Sequence, residues 1–315
     1  MYLVCGEALY DVFVDSVRSD SSHIEMTAKV GGSPYNVAVG LARLGCKVAL
    51  ATEIADDVLG RNLDLRLQQE GVDRRFVRRT GKATPLALVD VDAAGRPRYA
   101  FYGLDEALLH PDLSLVRNNW SRISGIHVGS IPIVSARSSQ RLIELVRDVP
   151  SDIFVSFDPN IRLTIEPDVS RWHECVEHFR QYAHLIKVSE EDLANLYGTT
   201  FDADAIAHSW LAHRCSLVAV TRGERGATYY SRSAGKIEIP AVPVVIADTV
   251  GAGDSFQAAS LAWLAEHRRV APVKFNSLSA KAIGELGHFA ASAAAATCSQ
   301  RGPEFPYRTS LHKDV

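Results

Sequence analysis

A chain of 315 residues, 47% hydrophobic and 23% charged, is long enough for one large or two medium domains with ample core. Its 34 basic and 37 acidic residues leave a net charge of −3, and no basic patch stands out, so nucleic acid is excluded as an expected partner. The five cysteines (Cys5, Cys46, Cys175, Cys215, Cys298) are scattered, odd in number and form no Cys-x-x-Cys pair, which argues against a zinc site or disulfide framework and for free thiols in a reducing compartment.

Elements alternate in type along the chain. Residues 2–6 predict a buried first strand and not a signal peptide, because no basic leader precedes them and Glu7 follows at once. Residues 12–29 hold short apolar pieces around a polar loop at 18–22. Residues 33–44 predict a helix with Ser33 as N-cap, Pro34 in the first turn and Gly45 as its stop. A strand at 48–54 and a helix at 57–70, stopped by Gly71, come next. Residues 86–92 and 98–102 flank the turn Ala93-Ala94-Gly95-Arg96 and read as a hairpin. Then follow a strand (125–129), a helix (136–147), strands at 153–158 and 185–188, a helix (190–197) and a strand (217–221). Helices at 254–266 and 280–297 complete the series. The apolar run 289–298 is too short to cross a bilayer and reads as packed helix, so no membrane partner is expected and the cytoplasm is the expected compartment.

This rhythm predicts an α/β fold over 1–315: a doubly wound, mainly parallel sheet with helices on both faces. The stretches at about 12–29 and 86–103 carry no following helix. They are expected to form one small β-sheet lid, although two ordinary edge hairpins fit the same residues. A lid sheet of this kind leaves a face and edges exposed, so a homodimer packed through it is expected.

The run Asp248-Thr249-Val250-Gly251-Ala252-Gly253-Asp254-Ser255-Phe256 is the richest in chemistry. Gly251, Ala252 and Gly253 are small enough for backbone N–H groups to face an anion, and the helix that follows aims its positive end at the same place. Asp254, in that helix's first turn, then stands beside a phosphate with its carboxylate open to a proton, as phosphoryl transfer to an alcohol requires. By itself the run also fits a loop closed by a capping Asp. Gly81-Lys82 is no P-loop, since Ala83 replaces Ser or Thr and Phe76 stands where the first glycine belongs. The eleven histidines form no His-x-x-x-His pair.

Asp248–Phe256 resembles the second signature of the ribokinase-like (PfkB) carbohydrate kinases. Gly31-Gly32-Ser33-Pro34-Tyr35-Asn36, continuing to Leu44-Gly45, resembles the first: a glycine pair, then a sugar-binding Asn on the next helix. The physics agrees, because glycines admit a polyol close to the main chain and an Asn amide both donates and accepts. Cys5-Gly6-Glu7-Ala8-Leu9-Tyr10-Asp11 is similar to the family's first strand, with Asp11 at the place of its sugar-hydroxyl acceptor. Phe157-Asp158-Pro159-Asn160-Ile161-Arg162 is similar to a stretch that puts Arg162 near the substrate and the moving phosphate. Thr221-Arg222-Gly223-Glu224-Arg225-Gly226 looks like the nucleotide-phosphate loop, and equally like a plain hairpin turn.

The resemblance implies ATP and magnesium as cofactors. Where the family often has Asn-x-x-Glu for magnesium-bound water, this chain has Ser189 and Asp192, a pattern that also suits an N-capped helix. Asp248, Val250 and Gly302 match the places of a potassium site in several members. The implied roles follow. Asp254 is the base, and Gly251, Ala252 and Gly253 with Arg162 hold phosphoryl charge. Asp11, Gly31, Gly32 and Asn36 bind the sugar beneath Tyr99 and Phe101 of the lid. Ser189, Thr221, Gly223 and Gly226, with Gly251 and Gly253, meet the nucleotide. Glu7, residues 99–102, 157–162 and 187–189 look like the family's fructokinases, which implies fructose going to fructose 6-phosphate. A 2-keto-3-deoxygluconate kinase is the alternative, with Arg96, Arg98 or Arg162 for the substrate carboxylate. A ribokinase or nucleoside kinase and a non-catalytic sugar or nucleotide sensor rank below.

Overall fold

The computed structural model describes residues 1–15, 18–20, 22–91, 97–104, 111–300 and 302–311. In chain order the elements are β1 (Tyr2–Cys5), β2 (Leu9–Asp15), β3 (Glu25–Gly31), α1 (Ser33–Arg43), β4 (Val48–Ala55), α2 (Val58–Gln69), β5 (Val77–Thr80), β6 (Leu86–Val91), β7 (Pro97–Tyr102), α3 (Leu113–Arg117), β8 (Gly125–Gly129), α4 (Ser139–Asp148), β9 (Phe154–Asp158) and α5 (Val169–Arg180). They continue with β10 (Leu185–Ser189), α6 (Glu190–Tyr197), α7 (Ala203–Trp210), β11 (Leu217–Thr221), β12 (Ala227–Ser231), β13 (Gly235–Ile239), α8 (Ala252–Glu266), α9 (Pro272–Phe275) and α10 (Ala280–Cys298).

The main sheet runs β13-β12-β11-β10-β9-β8-β1-β4-β5. From β5 to β11 every neighbouring pair is parallel; β12 and β13 are added antiparallel at one edge. Strand β1 shows why both faces are covered. Its side chains alternate: Tyr2 and Val4 join a cluster with α1, α2, α8 and α10. Leu3 and Cys5 join another with α4, α5, α6 and α7. The doubly wound expectation is thus met. No helix among the described residues is long and apolar enough to cross a membrane.

The two stretches without helices do form one sheet, β3-β2-β6-β7, in which β2 and β6 are parallel and the outer pairs antiparallel. Its underside packs Leu9, Ala87, Leu104 and Phe101 against Ile131 and Ile165 of the main body. The turn at 93–96, with Arg96, lies outside the described residues.

Several expectations are corrected. Asp11 belongs to lid strand β2 and not to the first strand, which stops at Cys5. Helix α1 begins at Ser33 with Gly32 as its N-cap residue and no side-chain cap of its own. Ser33 is free for another task. Strands β5, β12 and β13 and helices α3, α5, α7 and α9 add to the expected elements.

Candidate active site

The candidate residues gather where parallel strands end at their carboxyl side: Glu7 after β1, Ser130 after β8, Asp158 on β9, Ser189 on β10 and Thr221 on β11. Across from them, α1 and α8 point their N-termini inward.

Helix α8 starts from Gly251, whose φ of 81° is left-handed. A side chain there would also press on Pro303, with Cβ atoms 2.9 Å apart. Ala252 donates its N–H to Thr249 O (3.2 Å), closing the turn, so this amide does not face the cleft as expected. The next amides in the first turn, of Gly253 and Asp254, have no acceptor inside the helix. The Asp254 carboxylate accepts Ser33 Oγ at 2.6 Å and Asn36 Nδ2 at 2.9 Å. Ser33 and Asn36 stand three apart on α1 and so share a face. Burial raises the Asp254 carboxyl above its usual range, while those two hydrogen bonds and the charges of Lys187 and Arg162 oppose the rise.

Asp11 faces this base from the lid. Burial, then the Asp254 charge, push its carboxyl up to about 6 against the pull of Arg162. Gly31 lies against it, since any side chain at 31 would collide with the Asp11 carboxylate. Gly32, at φ 97°, passes the Glu7 carbonyl so closely that a Cβ would sit 2.7 Å from it. Exposed Arg162 anchors one Nη on Ile161 O (2.9 Å) and keeps its charge near both carboxylates. Phe101 is partly buried in the lid's underside. The side chains of Tyr99 and Arg98 lie outside the described residues.

A buried ion pair missing from the sequence expectations lies beneath the cradle. Lys187 Nζ binds Asp158 Oδ2 at 2.9 Å, both side chains almost inaccessible. A Cβ on Gly253 would come within 3.1 Å of that ammonium. The signal was available: a lysine inside the apolar run Leu-Ile-Lys-Val of a parallel strand must be buried, and a buried lysine needs a partner. Burial raises the Asp158 carboxyl to about 6 despite Lys187.

Asp192 and Ser189 form a reciprocal capping box on α6. Asp192 Oδ2 accepts Ser189 N (3.0 Å) and Ser189 Oγ (2.6 Å), and Oδ1 accepts Ile161 N (2.7 Å). The capped-helix alternative is therefore what the geometry displays, and Asp192 also pins the loop that carries Arg162. Thr221, Gly223 and Gly226 form the β11–β12 hairpin connection, where Arg222 N bonds Gly226 O at 2.7 Å.

Asp248, Val250 and Gly302 meet, but through each other. Asp248 accepts Val250 N (3.1 Å) and Gly302 N (2.8 Å), while Gly302 O accepts Glu304 N (2.8 Å). The Lys29 ammonium from the lid lies against Gly302, 2.6 Å from where its Cβ would be.

The profile of the pfkB family carbohydrate kinases matches residues 1–310. A fructokinase of Klebsiella pneumoniae is 33% identical over 270 residues, covering 84% of this chain and 84% of its own. Among solved structures, a fructokinase with bound ATP from Xylella fastidiosa superimposes with a TM-score of 0.85 at 26% identity, over 98% of this chain and 97% of its own. A fructokinase from Vibrio cholerae O395 in fructose-, ADP- and calcium-bound form does so at 0.80 and 25%, over 99% and 97%. With Asp254 seated at a helix N-terminus between lid and sheet, and both signatures in place, the chain belongs to the pfkB family of carbohydrate kinases.

Proposed function

We propose that this enzyme moves the terminal phosphoryl group of ATP to the primary hydroxyl of fructose, giving fructose 6-phosphate. One observation carries the reading: a carboxylate in the first turn of α8, aimed by Ser33 and Asn36, shares its cleft with Asp11, Arg162 and Lys187. The fructokinase relatives support the choice of sugar.

Asp11, Gly31, Gly32 and Asn36 hold the sugar hydroxyls, with Phe101 closing from the lid to keep water from competing as acceptor. Asp254 takes the hydroxyl proton as the oxygen attacks the γ-phosphorus and the bond to the leaving ADP oxygen breaks. Its raised pKa suits a base better than an ordinary carboxylate. Amides of Gly253 and neighbouring Gly251, with Lys187 and Arg162, balance the charge on the moving group. Ser189, Thr221, Gly223 and Gly226 border the nucleotide. Asp158 and Asp192 would hold a magnesium ion bound with ATP, largely through water, and the ion would supply positive charge to the phosphates. The buried Asp158 Oδ1, without a hydrogen-bond partner among the described residues, supports this. A potassium ion would be held by oxygens of Asp248, Val250 and Gly302, which the Asp248 bonds to Val250 N and Gly302 N bring together, and no step is given to it.

Purified protein given ATP, magnesium and in turn fructose, 2-keto-3-deoxygluconate, ribose and adenosine tests the reading by ADP release. Fructose is expected to give the highest kcat/KM. Arg162 supports the keto-acid alternative, and a preference for that substrate would establish it instead. Binding without turnover on the whole panel would favour a sensor. Five unpaired cysteines support a cytoplasmic location. Exposed Ile24, Met26 and Tyr102 on the lid support a homodimer through that sheet, which sedimentation velocity would test.

A further inference from the structure

Glu7 is buried to 2% exposure at the end of β1, and none of the expected roles uses it. Three parts of the chain converge on it. Its Oε1 accepts Ser130 Oγ (2.8 Å) and Ser33 N (3.2 Å), while Oε2 has no hydrogen-bond partner among the described residues. Ser130 is itself held in a region that non-glycine residues avoid, at φ 61° and ψ −155°, and is pinned by its N–H to Asp158 O (3.2 Å). Helix α1 has no side-chain cap of its own, so the first amide of α1 relies on Glu7. The same residue, Ser33, turns its hydroxyl to Asp254.

Building on the phosphoryl-transfer reading, we infer that Glu7 is a positioning residue for the catalytic base: it caps α1 from outside the helix and thereby fixes Ser33 and Asn36, the two groups that aim Asp254. In its ionised form Glu7 is the stronger partner for a helix N-terminus. Its negative charge also makes Asp254 a better proton acceptor. Both effects increase turnover as Glu7 loses its proton. Among the described residues, the charged group facing Glu7 is Asp254 on α8; α1 presents the Ser33 N–H and the segment after β8 presents Ser130 Oγ. Burial, opposed by the Ser130 bond and reinforced by the Asp254 charge, brings the Glu7 carboxyl up to about 7, so the change of charge falls in the neutral range.

The test compares pH profiles of kcat and KM for the wild type, Glu7→Gln and Ser130→Ala, with folding checked by thermal melting. Gln keeps an acceptor for Ser33 and Ser130 but carries no charge. The wild-type kcat is expected to rise through an inflection near neutrality. Glu7→Gln should lose that inflection and, above it, fall by roughly tenfold or more with KM for ATP little changed. Ser130→Ala removes a bond that favours the anion, so its inflection should move to higher pH. A Glu7→Gln profile of wild-type shape, or an unmoved inflection in Ser130→Ala, would overturn the inference. If Glu7→Gln does not fold, Ser130→Ala decides alone. A wild type inert on every sugar would instead defeat the kinase reading.

Discussion

Asp254 accepts Ser33 Oγ on one oxygen and Asn36 Nδ2 on the other, and an Asn there keeps its oxygen for Asn36 while its amide donates to the Ser33 hydroxyl, so the side chain stays in place and only its basicity is lost. Asp254→Asn should bind ATP and sugar with near-native affinity, measured calorimetrically, and lose roughly 10²–10⁴-fold in kcat, the ordinary share of a general base. Turnover close to wild type would remove the base from the scheme. Lys187 makes a different prediction. Lys187→Met leaves Asp158 buried without its ion partner, which should cost about 3–5 kcal/mol in denaturant unfolding. Adding Asp158→Asn should restore much of that stability, because no lone charge remains. It should not restore kcat, because the ammonium for the moving phosphate and a carboxylate for magnesium are then both gone. Recovery of stability and kcat together would make the pair purely structural.

Among the elements, α6 ties packing to the site. Its capping box holds Asp192, and Asp192 holds Ile161 N and so the loop leading to Arg162. Asp192→Ala should cost about 0.5–2 kcal/mol as a lost cap. It should also raise KM for the sugar, since Arg162 loses its support, and raise the magnesium concentration that turnover needs. An unchanged KM for the sugar would speak against the link to Arg162. The alternation of strand and helix was legible because parallel strands buried on both faces read as continuous apolar runs, as in Leu185–Ser189. The lid strands were legible because no helix stands between β2 and β3 or between β6 and β7. Helix α5 was missed although Val169, Trp172, Val176 and Phe179 recur at helical spacing; its polar residues, His173 and Glu174 among them, obscured the stripe. Strands β12 and β13 follow Gly223 and Gly226, which favoured a loop reading. At the site, glycine signatures pointed to Gly32, Asn36 and Asp254, because backbone approach needs a fixed local pattern. Ser33 on Asp254 and Ser130 on Glu7 join residues 221 and 123 positions apart. No local pattern encodes such a pairing; the strand order creates it.

For the whole molecule, the buried acids and the buried histidines set opposite demands on pH. His127 and His184 are held down to about 3 and about 4 chiefly by burial, so they stay neutral in the fold. Their contribution is complete above the ordinary histidine value and is lost as pH falls, because the unfolded chain takes up protons that the fold refuses. Glu7, Asp11 and Asp158 behave inversely: their raised values mean that stability is complete below the ordinary carboxylate range and is lost as pH rises through about 6 to 7. The anionic form that the active site uses is therefore the form the fold tolerates least. For Glu7 the loss between about pH 5.5 and about pH 8 should be near 2 kcal/mol, from a rise from 4.5 to about 7. Glu7→Gln leaves a buried amide N–H unpartnered at both pH values, a cost that cancels in the comparison. Denaturant unfolding at the two pH values should show the variant gaining about 2 kcal/mol on the wild type at the higher one. An identical difference at both would mean that Glu7 does not change charge in the fold. A gain in stability joined to a loss of turnover would show that this carboxylate is kept for the reaction and at the expense of the fold.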